Sequence, residues 1–514
     1  MTAPTDTSFF GHPRGLSTLF FTEMWERFSY YGTRAILILF MTAAASKGGL
    51  GFDAARASAI YGLYTSIAYM LALPGGWMAD RFLGQQRAVF WGGLLIAAGN
   101  AGLAMPSVVT FYLGLGLVAI GTGFLKPNVS TIVGHLYGPN DNRRDAGFSI
   151  FYMGINLGAL ISPLICGTLG EKVNWRLGFA VASVGMALGL IQYQFGRKHF
   201  GDAGREPVKP ESAEGAAEQR KHLFIGVGAT FGVLALVGVL GYTGIIGITA
   251  ERINLAYGIL LGITVVGVIV WLMASADWTA EERRRLIAVF AFLGSSAIFW
   301  SVFEQAGSTL NLFADRKTQM PAVNFPATSF GWLNNAFSKF ASPTANGYHF
   351  EFPASWFQSL NSIFIVFGMA AFFAWMWIKL GKHDPSSPTK FTIGLVFVAL
   401  GFLVLVPAAA SDGRVSPLWL TLTYFLHTIG ELCLSPVGLS AMTKLAPVRI
   451  GGMVMGLWFL ATSLGNFLGG RMAGLYESLA LPKLFGAVGL FALAAAVLMA
   501  LLIRPVNRMM GDVK

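Results

Sequence analysis

The scarcest thing in this sequence of 514 residues is charge. Asp, Glu, Lys and Arg supply 12% of it, where a soluble protein carries roughly 25%. Cysteine is nearly missing. Cys166 and Cys433 are the only two, both in apolar runs, so a disulfide framework is excluded and redox context is uninformative. The opening stretch MTAPTDTSFFGHPRG lacks the charged-then-apolar pattern of a leader, so the first hydrophobic segment is expected to stay in place as a helix. Catalytic signatures are missing too. There is no His-Glu-x-x-His, Gly-x-Ser-x-Gly or Walker pattern. GTGFLK (121–126) holds a Gly-x-Gly, but mid-span and without the third glycine. These gaps argue against an intramembrane enzyme.

What the chain has is apolar surface: 54% hydrophobic residues, with 42 Phe and 13 Trp. Soluble globular, disordered and coiled-coil readings fail on that composition, and a polytopic membrane protein fits it. The net +11 then reports which loops face the cytoplasm rather than a nucleic-acid partner.

A helical span needs about 20 apolar residues. That ruler gives segments near 17–44, 54–79, 88–105, 108–135, 146–170 and 175–196. The polar stretch 201–221 follows and reads as a solvated linker. Spans resume near 222–246, 252–273, 285–312, 354–380, 390–408, 416–443, 451–477 and 483–503, fourteen in all. The expected organisation is an N-terminal six-helix bundle (1–198), a linker with two extra helices (199–282) and a C-terminal six-helix bundle (283–514). With the N-terminus inside, 22 of the 36 Lys and Arg fall on cytoplasmic loops and termini, so both termini are expected in the cytoplasm. Two halves about a long linker imply pseudo-symmetric bundles rocking around a central site. Within the outer excursion 313–353, GWLNNAFSKF is expected to form a short surface helix.

Seven charges lie inside spans: Glu23, Glu26, Arg27, Arg34, Lys126, Glu304 and Glu431. Each costs about 2.5–3.5 kcal/mol on insertion scales and normally faces a cavity or a partner. Fully ionised, they sum to −1, so one proton neutralises the set. At 100° per residue, Glu23, Glu26, Arg27, Tyr30, Tyr31 and Arg34 share one ~140° stripe of the first span. Trp300, Glu304, Gly307, Ser308 and Asn311 share a face of another span, and Tyr424, His427, Glu431 and Ser435 share a face of a third. Interhelical glue is the plainer reading for any single charge, but a buried pair stabilises weakly at best, and stability rarely needs seven. Bases Arg34 and Lys126 come from the first half, acids Glu304 and Glu431 from the second. A zwitterion such as an amino acid or peptide meets opposite charges across such a cavity, and tyrosines and tryptophans suit varied side chains. His427, four residues before Glu431, either tunes that acid or is simply bonded to a helix carbonyl.

Several motifs carry a resemblance. ADRFLGQQR (79–87) resembles the signature loop of the major facilitator superfamily. TEMWERFSYYG (22–32) resembles the Glu-x-x-Glu-Arg-Phe-x-Tyr-Tyr motif of the proton-dependent oligopeptide transporter family, and GTGFLKPNVS (121–130), FYMGINLGALISP (151–163), FWSVFEQAGSTLNLFA (299–314), WFQSLN (356–361) and GELCLSPVGLS (430–440) are similar to its further signatures. The resemblance implies an all-α integral membrane protein of major facilitator fold, a bacterial-type member in the cell (inner) membrane that imports dipeptides and tripeptides with protons by alternating access. It implies proton coupling through Glu23, Glu26, Arg27 and Glu304. It puts Arg34 and Lys126 on the peptide carboxylate, and Glu431, Asn156 and Asn361 on the amino end. Tyr31, Tyr64, Tyr69, Trp300, Trp458 and Thr462 line the pocket in this reading, to which the helix-face argument adds Ser435. Arg34–Glu304 and Lys126–Glu431 are the expected outer and inner gate salt bridges. No cofactor or metal is expected, and the functional unit is a monomer. Phe303 precedes Glu304 where some relatives have a second acid, and Ser362 stands where proline is common. The two extra spans read as a spacer. A proton-coupled transporter of nitrate or another small organic solute is the alternative on the same fold, and a receptor or scaffold would not need charge pairs across two halves.

Overall fold

A computed structural model describes residues 7–138, 141, 143–207, 250–274, 278–326, 338–447 and 450–511, with scattered positions between 212 and 249. Among the described residues stand thirteen long helices. The first six are α1 (Arg14–Thr42), α2 (Ala54–Met70), α3 (Gln85–Leu103), α4 (Val108–His135), α5 (Arg144–Lys172) and α6 (Trp175–Gly196). After the linker come α7 (Ala250–Ala274), α8 (Ala280–Lys317), α9 (Ala354–His383) and α10 (Ser387–Ala410). The last three are α11 (Leu418–Leu445), α12 (Gly451–Ala473) and α13 (Leu481–Met510). The expected span 222–246 lies mostly outside the described residues, as does the expected surface helix in 331–340.

Local chemistry starts these helices where it should. Asp53 accepts the Arg56 amide at 2.7 Å ahead of α2, and Asn174 accepts that of Arg176 at 2.9 Å ahead of α6. Thr279 and Glu282 form a reciprocal capping box at the start of α8, with bonds of 3.2 and 2.9 Å, satisfying amides a helix leaves orphaned. Nine of the helices are apolar enough by themselves to cross a membrane; α1 is not, because of its own charges.

Several helix irregularities fall at or beside residues singled out above. α8 relaxes into a 3₁₀ turn at Glu304–Gly307 before resuming at Thr309. Pro127 follows Lys126 inside α4, and Pro436 follows Ser435 inside α11. α9 widens into a π-turn at Ile365–Met369, where Gly368 takes φ +136°, a conformation L side chains avoid. Beyond that kink no residue of Ala370–Leu380 is buried.

α1 packs on α5 and α6, and α3 on α4; in the second group α10 packs on α11 and α13, and α8 on α12. The two groups meet along α2 against α12 and α5 against α9. At the first seam Gly62 and Gly470 touch backbone to backbone, leaving no room for a Cβ on either. Phe195, Ile378 and Leu501 are among many large apolar side chains exposed on the outside, as a lipid-facing surface requires. The excursion after α8 adds a small antiparallel sheet in the order β1 (Ala322–Pro326), β3 (Gly347–Glu351), β2 (Ser342–Thr344).

Candidate functional site

The charged stripe of α1 is buried: Glu23, Glu26, Arg27 and Arg34 are each at most 4% exposed. Arg27 Nε donates to Glu23 Oε1 at 2.8 Å and lies 2.6 Å from Glu26 Oε2. One N–H serves two carboxylates, so the contact with Glu26 is ionic without being a hydrogen bond, and neither Glu26 oxygen has a hydrogen-bond partner among the described residues. Burying such acceptors is costly unless a proton, a water or a moving group can reach them.

Two turns further along α1, Arg34 reaches across to the second group. Its Nη2 lies 2.9 Å from Glu304 Oε2 and 3.5 Å from the Glu304 carbonyl oxygen. The 3₁₀ turn presents carboxylate and carbonyl together. Arg34 Nε donates to the Tyr61 hydroxyl at 2.8 Å. Gly307 makes this possible, because a Cβ there would fall 2.8 Å from Arg34 Nε and overlap the Tyr61 hydroxyl.

Between the groups lies a cavity of about 70 Å³, walled by Tyr31, Arg34, Tyr69, Trp300, Glu304, Asn361 and Glu431 among others. It is smaller than the roughly 300 Å³ at which ligand pockets begin, so a peptide needs the groups to part. Asn361 Nδ2 donates to Glu431 Oε2 at 2.8 Å and to Thr428 Oγ1 at 3.1 Å. The Trp300 indole N–H has no partner among the described residues and is buried in the same wall.

The expected Lys126–Glu431 pair is not made. Lys126 Nζ sits 3.5 Å from the centre of the Tyr69 ring, with the Phe459 ring at 5.9 Å, and Glu431 is engaged by Asn361 instead. A cation over an aromatic face is stabilised where no carboxylate reaches it. Tyr64, Asn156, Ser435, Trp458 and Thr462 lie outside the cavity wall. Asn156 Nδ2 bonds to the Tyr152 carbonyl at 3.0 Å, Thr462 Oγ1 to the Trp458 carbonyl at 3.2 Å, and Trp458 stacks edge-on to Phe391. Asn156 and Thr462 are thus used within their own helices, while the buried Tyr64 hydroxyl has no partner among the described residues. His427 is buried between Phe303 and Phe402 at the cavity wall, its Nε2 without a hydrogen-bond partner among the described residues.

Tyr61, Gly307, Gln358 and Tyr424 also belong to this site. The signal for Tyr61 is the run Tyr61, Tyr64, Tyr69 at helical spacing, and Gly307 and Tyr424 lie on the polar faces described above; nothing local marks Gln358.

At the end of the groups that carries the small sheet, the rim is shut by main-chain amides of one group and carboxylates of the other. Glu171 accepts the amides of Ala354 and Ser355 at 2.8 and 3.0 Å, and Glu477 accepts that of Ala54 at 3.1 Å. Each carboxylate thus caps a helix start across the seam. Arg316 Nη1 donates to Glu477 at 2.7 Å and, with this bond as the main cause, holds its carboxyl below the usual 4.5.

Two six-helix groups with a charged cavity at their seam define a transporter of the major facilitator fold. Residues 86–345 and 333–487 match the POT family, and the chain belongs to that family. It is 40% identical to "Peptide transporter YePEPT" of Yersinia enterocolitica subsp. palearctica, over 99% of this chain and 97% of that protein. It is 37% identical to a "Di-/tripeptide transporter" of Lactococcus lactis subsp. cremoris over 99% of both. Among solved structures, a peptide transporter POT in complex with sulfate superposes with TM-score 0.86 at 43% identity, covering 98% and 97% of the two chains. A POT family transporter in complex with 5-aminolevulinic acid does so with TM-score 0.87 at 34% identity, covering 98% of each.

Proposed function

We propose that this chain imports dipeptides and tripeptides together with protons by alternating access, and that the Arg34–Glu304 pair couples the two. The observation that carries this is the ion pair across the seam at the cavity wall, 2.9 Å between Arg34 Nη2 and Glu304 Oε2 and buried. A carboxylate favours its ionised form beside a guanidinium and its protonated form when dry and alone. Protonation of Glu304 therefore releases Arg34, unlocks the outer side and frees the guanidinium for a peptide carboxylate, which it grips bidentately. Lys126 assists that end. Asn361 and Glu431, already joined, take the amino end. Tyr31, Tyr69 and Trp300 give the side chains apolar walls with polar tips. Glu23, Glu26 and Arg27 form a second protonatable cluster one helix turn from the site. Lys126–Glu431 is the pair that forms when the inner side closes.

Relatives named for peptide transport support the substrate class, and the solved relative holding an amino-carboxylate supports recognition through the two termini. The protein works as a monomer, since one chain supplies both walls. It lies in the inner membrane with both termini in the cytoplasm, as its Lys and Arg distribution favours. In liposomes with an imposed pH gradient, unlabelled dipeptides and tripeptides are expected to compete with labelled dialanine, and single amino acids and nitrate are not. Competition by nitrate with none by dipeptides contradicts the peptide reading.

A further inference from the structure

α7 belongs to neither six-helix group, yet it touches both. It lies along the seam of α2 and α12, with its lipid side carrying exposed Leu255, Ile259, Ile263 and Val266. On the inner side of α7, Asn254, 2% exposed, donates to the Ala59 carbonyl of α2 at 3.1 Å. The Tyr257 ring packs on Phe467 of α12 with centroids 5.6 Å apart.

The Tyr257 hydroxyl ends in a clasp between the groups. Ser66 Oγ of α2 donates to the Ser463 carbonyl of α12 at 2.8 Å, and Ser463 Oγ donates back to the Ser66 carbonyl at 2.8 Å. Both serine protons are thereby used, so Tyr257 is the donor in its 2.7 Å contact with Ser66 Oγ. It also lies 3.4 Å from Ser463 Oγ. Ser66, Ser463 and Tyr257 are all buried. When α2 leaves α12, the two serines lose each other's carbonyls inside a low-dielectric seam, where an unmade bond is most costly, and Tyr257, bonded to Ser66 of α2 and packed on Phe467 of α12, must give up one of the two.

We propose that α7 is a strap that biases the transporter toward its outer-closed state, with the Tyr257 hydroxyl fastening the Ser66–Ser463 clasp. This rests on the alternating-access reading but not on the substrate. A helix outside both groups sets the conformational balance without touching the cavity, which separates it from a passive spacer.

The test measures conformation in substrate-free protein, so a failed strap and a failed transport reading remain distinct. Spin labels are placed on Lys47→Cys and Leu479→Cys, at the outer ends of the two groups; Cys166 and Cys433 are buried and do not compete. Distances are read by double electron–electron resonance in lipid nanodiscs. Tyr257→Phe keeps the ring on Phe467 and removes only the hydroxyl. It should raise the ratio of long to short outer distances about fivefold, the weight of one buried hydrogen bond. Ser463→Ala should move it the same way, and the double variant should add little. An unchanged distribution in Tyr257→Phe overturns the proposal. If Ser463→Ala alone opens the outer side, the clasp works without α7 and the helix is a spacer after all.

Discussion

At the scale of single residues, the site is a set of charges whose partners are incomplete. Arg27 serves two carboxylates with one N–H, and Arg34 divides its donors between Tyr61 and Glu304. Tyr61→Phe removes one of those bonds and should weaken the outer closure by about 0.5–1.5 kcal/mol, visible as a severalfold change in the KM for dialanine. Gly307→Ala forces a methyl between Arg34 and Tyr61. Overpacking costs about 1–3 kcal/mol, so it should lower both the thermal midpoint and the uptake rate; wild-type behaviour in both would show the close approach to be dispensable. Arg34, Glu304 and Glu431 were legible from the sequence because a charge in an apolar run has few ordinary explanations. Tyr61 was not, since a tyrosine in a membrane helix is commonplace, and for Gly307 helical spacing gave the face but not the close approach. Their significance arises only when two segments some 270 residues apart come together. Lys126 shows the opposite limit: its charge stood out, while its perch on Tyr69 depended on tertiary placement.

At the scale of elements, helix existence followed from hydrophobic length, and helix interruption did not. The turn at Glu304–Gly307 has no proline before it, and it is what aims two oxygens at Arg34. Gly368 makes the kink in α9 readable afterwards through its positive φ. Gly368→Ala should cost about 1–3 kcal/mol in thermal unfolding, and a neutral result would mean that the kink is readily straightened. The rim contacts were likewise hidden, because an amide has no signature in a sequence. Glu477 gives them a pH dependence of known sign. Its carboxyl is held down in the closed form, so its contribution is present above the ordinary value of 4.5 and fades as pH falls through the lowered one. Acidification below 4.5 should therefore destabilise the wild type more steeply than Glu477→Gln. Identical acid profiles would remove Glu477 from the account.

For the whole molecule, length, charge scarcity and two sets of six spans were enough to anticipate the major facilitator fold, and the ordered motifs were enough to anticipate the POT family. The small outer sheet and the way α7 straddles the seam were not, since both depend on contacts between distant segments. What the assembled chain adds is a set of links across one seam: the rim amides, the Arg34–Glu304 pair and the Ser66–Ser463 clasp all join the two groups, while Lys126 and Glu431 are not paired. In the mechanism proposed above, the Arg34–Glu304 link is the one that exchanges with a proton and a peptide carboxylate, so the coupling claim is tested there. In proteoliposomes, Glu304→Gln should lose accumulation of labelled dialanine against its gradient under an imposed pH difference, by tenfold or more, while exchange of labelled for unlabelled peptide continues. Full gradient-driven accumulation by Glu304→Gln would contradict the account.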